Sequence, residues 1–222
     1  NLIDSNVLFS AILLEASVKS NIPWFINTGT FWQHFNNKEY SPVNLYAATK
    51  QAFEDISKYY LETSNINFVT IKLNDTFGPG DARKKIFNLW MKISKTKEEL
   101  DMSDGEQIID ISYVDNVIEG YARMIDLLSK DSERKLNGRS FAISSSERMT
   151  LKKLAELFQT AVNTKLNINW GKRSYRPREV MIPWEKGETI PGWKPPVSLQ
   201  EGIKMTFNTS NKKKTLSVCI PT

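Results

Sequence analysis

The sequence predicts an α/β protein: a parallel sheet with helices on both faces, joined to a smaller second lobe. Three observations carry this. Segments with apolar residues at helical spacing alternate with short β-rich runs, in the order helix, strand, helix, strand, and such alternation favours parallel pairing. The β-rich runs close on small or turn-forming residues, Thr28-Gly29-Thr30 and Gly78-Pro79-Gly80, as strands leading into loops do. A chain of 222 residues, 40% hydrophobic, is long enough for one sizeable core plus a small second one.

Taken in order, Asn6–Ser20 (NVLFSAILLEASVKS) reads as a buried helix. Ile22–Phe31 reads as a strand, Trp24–Asn27, closing on a polar loop. Asn44–Ser64 is a helix, and Ile66–Asp81 a strand that breaks at Gly78-Pro79-Gly80. Beyond it, KKIFNLWMKISK is a helix and Glu106–Val114 a strand. Val114–Ser129 is a helix with Asp115 near its N-terminus, a favourable end for a carboxylate. RSFAISSS is a short strand, MTLKKLAELFQTAV a helix capped by Thr150, and LNINW another short strand. The remainder is rich in Pro, Trp and Gly until a last helix begins near Ser198. No internal repeat is visible.

Composition narrows the function. The net charge of +5 is spread along the chain, and the one dense cationic run, Lys212–Lys214, reads as a solvated linker. This suits an anionic small molecule and argues against nucleic acid. The single cysteine, Cys219, leaves no internal disulfide and no Cys-based zinc site. The single histidine, His34, leaves no His-rich metal centre and weakens any Ser-His-Asp reading, so no metal is expected. No apolar run approaches the roughly 20 residues of a membrane span and no signal peptide is visible, so a cytoplasmic protein is expected.

The chemistry-bearing feature is Tyr46 with Lys50. Four residues apart on a helix, they face the same space. A phenol with its ordinary pKa of about 10 is a poor base at neutral pH, and a nearby cation favours its ionised form. Such a pair can act as a general acid–base on an alcohol or carbonyl. Alone it carries little weight, since chance supplies about one such pair in a chain of this composition. Its context adds weight. Thr28 and Thr30 lie at the C-terminal edge of a strand, where ligands bind in open α/β sheets. A threonine there can bond the oxygen that Tyr46 protonates. Gly-Pro-Gly-Asp closes the next strand at the same edge.

Six motifs in order resemble the extended short-chain dehydrogenase/reductases, the nucleotide-sugar epimerase/dehydratase family. They are NVLFSAILLEAS, FINTGTFW, YAATK, KLNDTFGPGD, DISYVDNVIEGY and IPGWKPPVSLQEGIKMT, together covering about residues 1–206. The resemblance implies an incomplete Rossmann-type parallel sheet with a smaller C-terminal substrate lobe. The Rossmann portion is expected at 1–80 and 107–135, and the lobe at 81–106 and 136–206. It implies Tyr46 as acid–base, Lys50 on the nicotinamide ribose, and Thr28 orienting the substrate oxygen. Asn6, Leu73 and Asn74 are implied beside the cofactor, NADP or NAD. Thr30, Asp75 and Arg176 are implied beside the sugar nucleotide, where a guanidinium suits phosphate oxygens. Relatives of this kind pair through the helices that here contain Asn6–Ser20 and Tyr46–Ser64, which implies a homodimer.

Departures from the pattern shape the expectation further. No Gly-x-x-Gly-x-x-Gly turn occurs, and the chain opens on Asn1 close to a helix, so it reads as a piece of a longer protein that alone binds cofactor poorly or is an inactive module. TLSVCIPT (215–222) resembles the opening strand of family-2 glycosyltransferases, with 207–222 as linker and start of a fused domain. Ile109 stands where many relatives carry an arginine, and Asp75 where they carry an amide. Relatives that dehydrate place Asp-Glu directly after the threonine, whereas Gly29 and Thr30 stand here. The expected reaction is therefore reduction of a 4-keto sugar on a nucleotide, a CDP-sugar by the look of NTGTFW and GPGD, with C4 epimerisation as the alternative. His34, Trp90, Trp170, Trp184 and Trp193 are expected to pack, although Trp184 near Arg176 is placed to line the nucleotide pocket. Asp110 and Asp115 are expected to be structural.

Overall fold

The computed structural model describes residues 1–208. The expectations for the tail from residue 209 onward, including Lys212–Lys214, Cys219 and the glycosyltransferase-like strand, lie outside the described residues.

A short π-helical turn, Asp4–Leu8, runs into α1, Phe9–Lys19. Then come β1 (Trp24–Thr30), α2 (Leu45–Thr63), β2 (Asn67–Leu73) and β3 (Asp75–Phe77). Helix α3 (Ile86–Thr96) is followed by β4 (Leu100–Asp101), β5 (Ile108–Ile109), β6 (Ile111–Tyr113) and α4 (Val114–Lys130). β7 (Ser140–Ile143), β8 (Met149–Thr150), α5 (Leu151–Val162), β9 (Ile168–Asn169), β10 (Glu188–Thr189) and α6 (Leu199–Phe207) complete the order. Helix ends follow the polar residues that satisfy their free amides. Asn44 accepts from Ala47 N–H at 3.0 Å, Thr150 accepts from Lys153 N–H, and Ser198 with Glu201 forms a capping box.

The main sheet has the order β1-β2-β7-β10, all parallel, with Trp24 opposite Asn67 and Leu73 opposite Ile143. Period-2 alternation sorts its side chains. Phe25 and Phe68 pack with Leu14 and Phe53 under α1 and α2. Val69, Ile71, Phe141 and Ile143 pack with Val117, Met124 and Leu128 under α4. Helices thus cover both faces, as the alternation predicts. A second core gathers Phe87, Trp90, Ile111, Tyr113, Leu154, Phe158 and Ile203 beside β3 and β6.

The structure corrects four expectations. The run 66–81 is two strands: at Asn74 the chain leaves the main sheet, and β3 pairs with β6. The run 106–114 is also split, at Asp110, because β5 pairs antiparallel with β8. β7 and β10, from the range expected in the lobe, pair in the main sheet, where β2 is buried on both faces and needs a neighbour on its second edge. Helix α1 is not a buried helix: Leu14 alone is buried, while Phe9 is 62% and Ile12 56% exposed. Its apolar residues surround the axis, and the described residues cover one side.

Candidate active site

The α2 N-terminus lies at the C-terminal edge of the sheet, and its first turns carry Tyr46 and Lys50 on one face. Both side chains are half-buried. The Lys50 ammonium sits 6.0 Å from the Tyr46 ring centroid, over the ring. Burial pushes the Tyr46 phenol above its ordinary value. This departs from the lowering expected from Lys50: desolvation of the phenol outweighs a cation stationed over the ring. Burial also lowers the Lys50 ammonium, against an opposing pull from Glu54.

On β1, Thr28 is half-buried, and its Oγ1 lies 2.5 Å from the hydroxyl of Tyr121 on α4. The Tyr121 phenol is raised by burial, the bond to Thr28 opposes this, and an ionised Tyr46 would push in the same direction as burial. Thr28, Tyr121 and Tyr46 therefore form one neighbourhood. Tyr121 was not foreseen from the sequence. Asn6, on the π-helical turn, donates to Thr49 Oγ1 at 3.0 Å, and Thr49 donates to the Tyr46 carbonyl at 2.9 Å, so Asn6 is tied to the helix that carries the pair.

Leu73 closes β2 against the α4-side core. Asn74 is buried and donates to the Ile143 carbonyl at 3.1 Å, while its Oδ1 is buried without a partner. Thr30 is buried, and its Oγ1 accepts from Trp32 N–H at 3.3 Å, which caps the following turn. The position implied as a substrate contact thus serves the local backbone.

A cavity of about 570 Å³ opens beside this neighbourhood, from Asn44 at the α2 N-cap to the segment Arg173–Glu179. Asp75, Lys85, Ile109 and Arg176 line it, as does Trp32 from the loop after β1. Of the cations on its lining, Lys84, Lys85, Arg173, Arg176 and Arg178, two already face an acid: Lys85 Nζ is 2.8 Å from Asp75 Oδ1, and exposed Arg176 donates to both Glu179 oxygens at 2.9 and 3.0 Å. Tyr46, Lys50 and Thr28 are not among the lining residues. Trp184 is not on the lining either, which corrects its expected place there. It stacks on His34 at 3.9 Å between ring centroids and 10° between planes.

Behind Gly29 lies a buried polar cluster that sequence reasoning missed. Lys72 Nζ, on β2, is 2.8 Å from His34 Nε2 and 3.3 Å from Glu54 Oε2. Gln33 Nε2 donates to Glu54 Oε1 at 2.9 Å and to Gln51 Oε1 at 2.8 Å. Asp110 is buried and accepts from Ser144, from Ser145 and from Arg148 Nε at 2.9 Å, the structural role expected of it.

The residues fit one end of a dinucleotide. Half-buried Lys50 makes no hydrogen bond or ion pair among the described residues and is free for ribose hydroxyls, and the orphan Asn74 Oδ1 at the strand edge lacks a donor. A glycine-rich pyrophosphate turn is not among the 222 residues. Among the described residues, no helix is long and apolar enough to cross a membrane.

Comparison with known proteins agrees with this geometry. The chain is 25% identical over 211 residues to the CDP-abequose synthase of Salmonella typhimurium, covering 92% of this chain and 68% of that protein. It is 27% identical over 191 residues to the CDP-abequose synthase of Yersinia pseudotuberculosis, covering 86% and 65%. It thus spans about two thirds of the length of these curated relatives. In fold it resembles the UDP-glucuronic acid 4-epimerase of Bacillus cereus, with a TM-score of 0.78 at 19% identity over 91% of this chain and 66% of that one. Residues 1–137 match the family described as NAD dependent epimerase/dehydratase, and the matched stretch contains Tyr46, Lys50, Thr28 and the strand edge around them, so the chain belongs to that family.

Proposed function

We propose that the protein containing this chain is a nicotinamide-dependent 4-ketoreductase acting on a nucleotide-linked keto sugar, with a CDP-sugar as the favoured substrate. One observation carries the reading. Tyr46, half-buried with Lys50 over its ring, stands in the first turn of α2 in the neighbourhood of Thr28 and Tyr121, and the two positions after Thr28 offer no further acid or base. Gly29 has no side chain, and Thr30 is a buried cap. Elimination of water from a sugar needs a further acid and base, whereas ketone reduction needs one proton donor.

A reduced nicotinamide, when bound, supplies the hydride to the ketone carbon. Tyr46 gives its proton to the ketone oxygen as the C=O π bond becomes C–H and O–H. Its raised pKa in the ligand-free protein suits a donor that must hold a proton at neutral pH. Lys50 holds ribose hydroxyls, and Thr28 orients the ketone oxygen. The cavity lined by Lys85 and Arg176 takes the diphosphate, with Ile109 leaving the cations to other segments. The likeness to two CDP-abequose synthases supports the substrate class.

The test is turnover by the full-length protein on CDP-4-keto-6-deoxy and CDP-4-keto-3,6-dideoxy sugars, followed through nicotinamide absorbance. One reduced nicotinamide consumed per product supports the proposal. Interconversion of the two C4-hydroxy CDP-sugars, offered in place of the ketones, with no net nicotinamide consumption assigns C4 epimerisation, which the same residues serve. No conversion by a folded protein that binds cofactor rejects both.

A further inference from the structure

Tyr121 takes no part in the reading above, yet its hydroxyl makes the closest contact of Thr28. It projects from α4 among the apolar side chains of that face and packs against the Val69, Ile71 and Val117 cluster. At 2.5 Å from Thr28 Oγ1 it is within hydrogen-bond range, and either oxygen has a proton to give. Chemistry chooses the direction. A phenol is the more acidic group and the better donor, an alcohol oxygen the better acceptor, and burial raises this phenol's pKa against the opposing effect of its bond to Thr28. Tyr121 therefore donates and Thr28 Oγ1 accepts. The Thr28 proton is then free to point elsewhere, and Thr28 has no other side-chain partner among the described residues.

We infer that Tyr121 is a positioning residue which, by donating to Thr28 Oγ1, makes the Thr28 hydroxyl a dedicated donor to a carbonyl oxygen and so favours a ketone over an alcohol as the bound substrate. The inference rests on the ketoreductase reading. A ketone oxygen only accepts, whereas a sugar hydroxyl being oxidised must give up its proton and is served better by an acceptor. A hydroxyl held from behind by a second donor also binds more strongly in front, because chained hydrogen bonds polarise one another.

The experiment uses the full-length protein and the Tyr121→Phe variant, which keeps the ring and its packing and removes only the donor. The expected result is a fall of about tenfold in kcat for keto-sugar reduction, with KM for the nucleotide sugar within about twofold and an unchanged melting temperature. Thr28→Val and the double variant should be equally slow, because Tyr121 acts through Thr28. Unchanged kcat in Tyr121→Phe, or losses that multiply in the double variant, overturns the inference. A second readout needs no turnover. With tyrosine labelled at the ring carbon that bears oxygen, the carbon-13 signal missing in Tyr121→Phe should shift in Thr28→Val, and an unmoved signal overturns the inference. If the wild type binds cofactor but reduces no keto sugar, while that signal does shift, the bond stands and the ketoreductase reading falls, taking the substrate preference with it.

Discussion

The Lys72 ammonium lies 2.8 Å from His34 Nε2, a donor–acceptor contact buried beneath the Trp184 ring. His34 Nδ1 lies 3.1 Å from the Lys38 carbonyl, which can only accept, so Nδ1 carries the ring proton and Nε2 presents its lone pair to lysine. Glu54 and Gln33 complete the arrangement. It ties the loop after β1 and the segment of Trp184 to β2, next to the strand edge where Thr28 sits.

This contact predicts an acid-sensitive fold. Burial and the neighbouring Lys72 charge lower the His34 pKa to about 4. An unfolded chain's histidine binds a proton near pH 6.5, so between pH 6.5 and 4 the unfolded state holds the extra proton and stability falls as pH drops. The full difference is on the order of 3 kcal/mol. Urea denaturation between pH 7 and 4.5 should show this loss, and His34→Asn should flatten it. An equally steep profile in the variant would place the acid sensitivity elsewhere.

Gly29→Ala tests the same cluster from the opposite side. An added Cβ would lie 2.9 Å from Gln33 Oε1, 2.9 Å from Glu54 Oε1 and 3.0 Å from Lys72 Cγ. These oxygens belong to flexible side chains, but buried hydrogen bonds hold them in place. The expected cost is about 1–3 kcal/mol of stability, read as a lower denaturation midpoint with an unchanged slope. A neutral effect would mean that the cluster repacks freely.

How far the sequence reveals this arrangement depends on the range of the interactions. α2 and α4 are legible because each buries one face and burial imprints a period of 3.6, and β1 and β2 because they are short apolar runs, packed on both sides and closed by turn-forming residues. The strand breaks at Asn74 and Asp110 are not, since an apolar run keeps its period while changing partners; a buried polar residue within the run is the only local trace. Tyr121 is illegible for a related reason. With Val117, Met124 and Leu128 it occupies the inward face of α4, so the spacing reads as core. Lys72 within a strand of mostly apolar residues signals a buried acid nearby, but that Glu54 and His34 supply the partners emerges only once three elements are assembled.

Tyr46→Phe should abolish the protonation step alone. Keto-sugar turnover is expected to drop by about 10²–10⁴-fold, with nucleotide-sugar and nicotinamide binding retained. Because burial raises the phenol's pKa, wild-type reduction should be flat through neutral pH and fall only in alkaline solution, as the phenol loses its proton. Rates that climb between pH 7 and 9 would show that the ionised phenol, not the acid, is the working form.

Asp75→Asn addresses the cavity. Its carboxylate is 2.8 Å from Lys85 Nζ, and its charge also reaches Arg83 and Arg176. A diphosphate entering this space meets Lys85 but is repelled by Asp75. Removing the carboxylate leaves the cavity one charge more positive and frees the ammonium. At about 5 Å, one charge acting on another is worth roughly 1–3 kcal/mol at effective dielectric constants between those of water and a protein surface, and some of this is offset because Lys85 loses the partner that holds it. Asp75→Asn should therefore bind CDP about three- to tenfold more tightly at low salt, and less so as salt screens the effect, when measured by calorimetry. Lys85→Met should weaken binding under the same conditions. Weaker binding in Asp75→Asn would mean instead that the carboxylate serves to aim Lys85 at the phosphate, so that the pair acts as one donor where relatives place an amide.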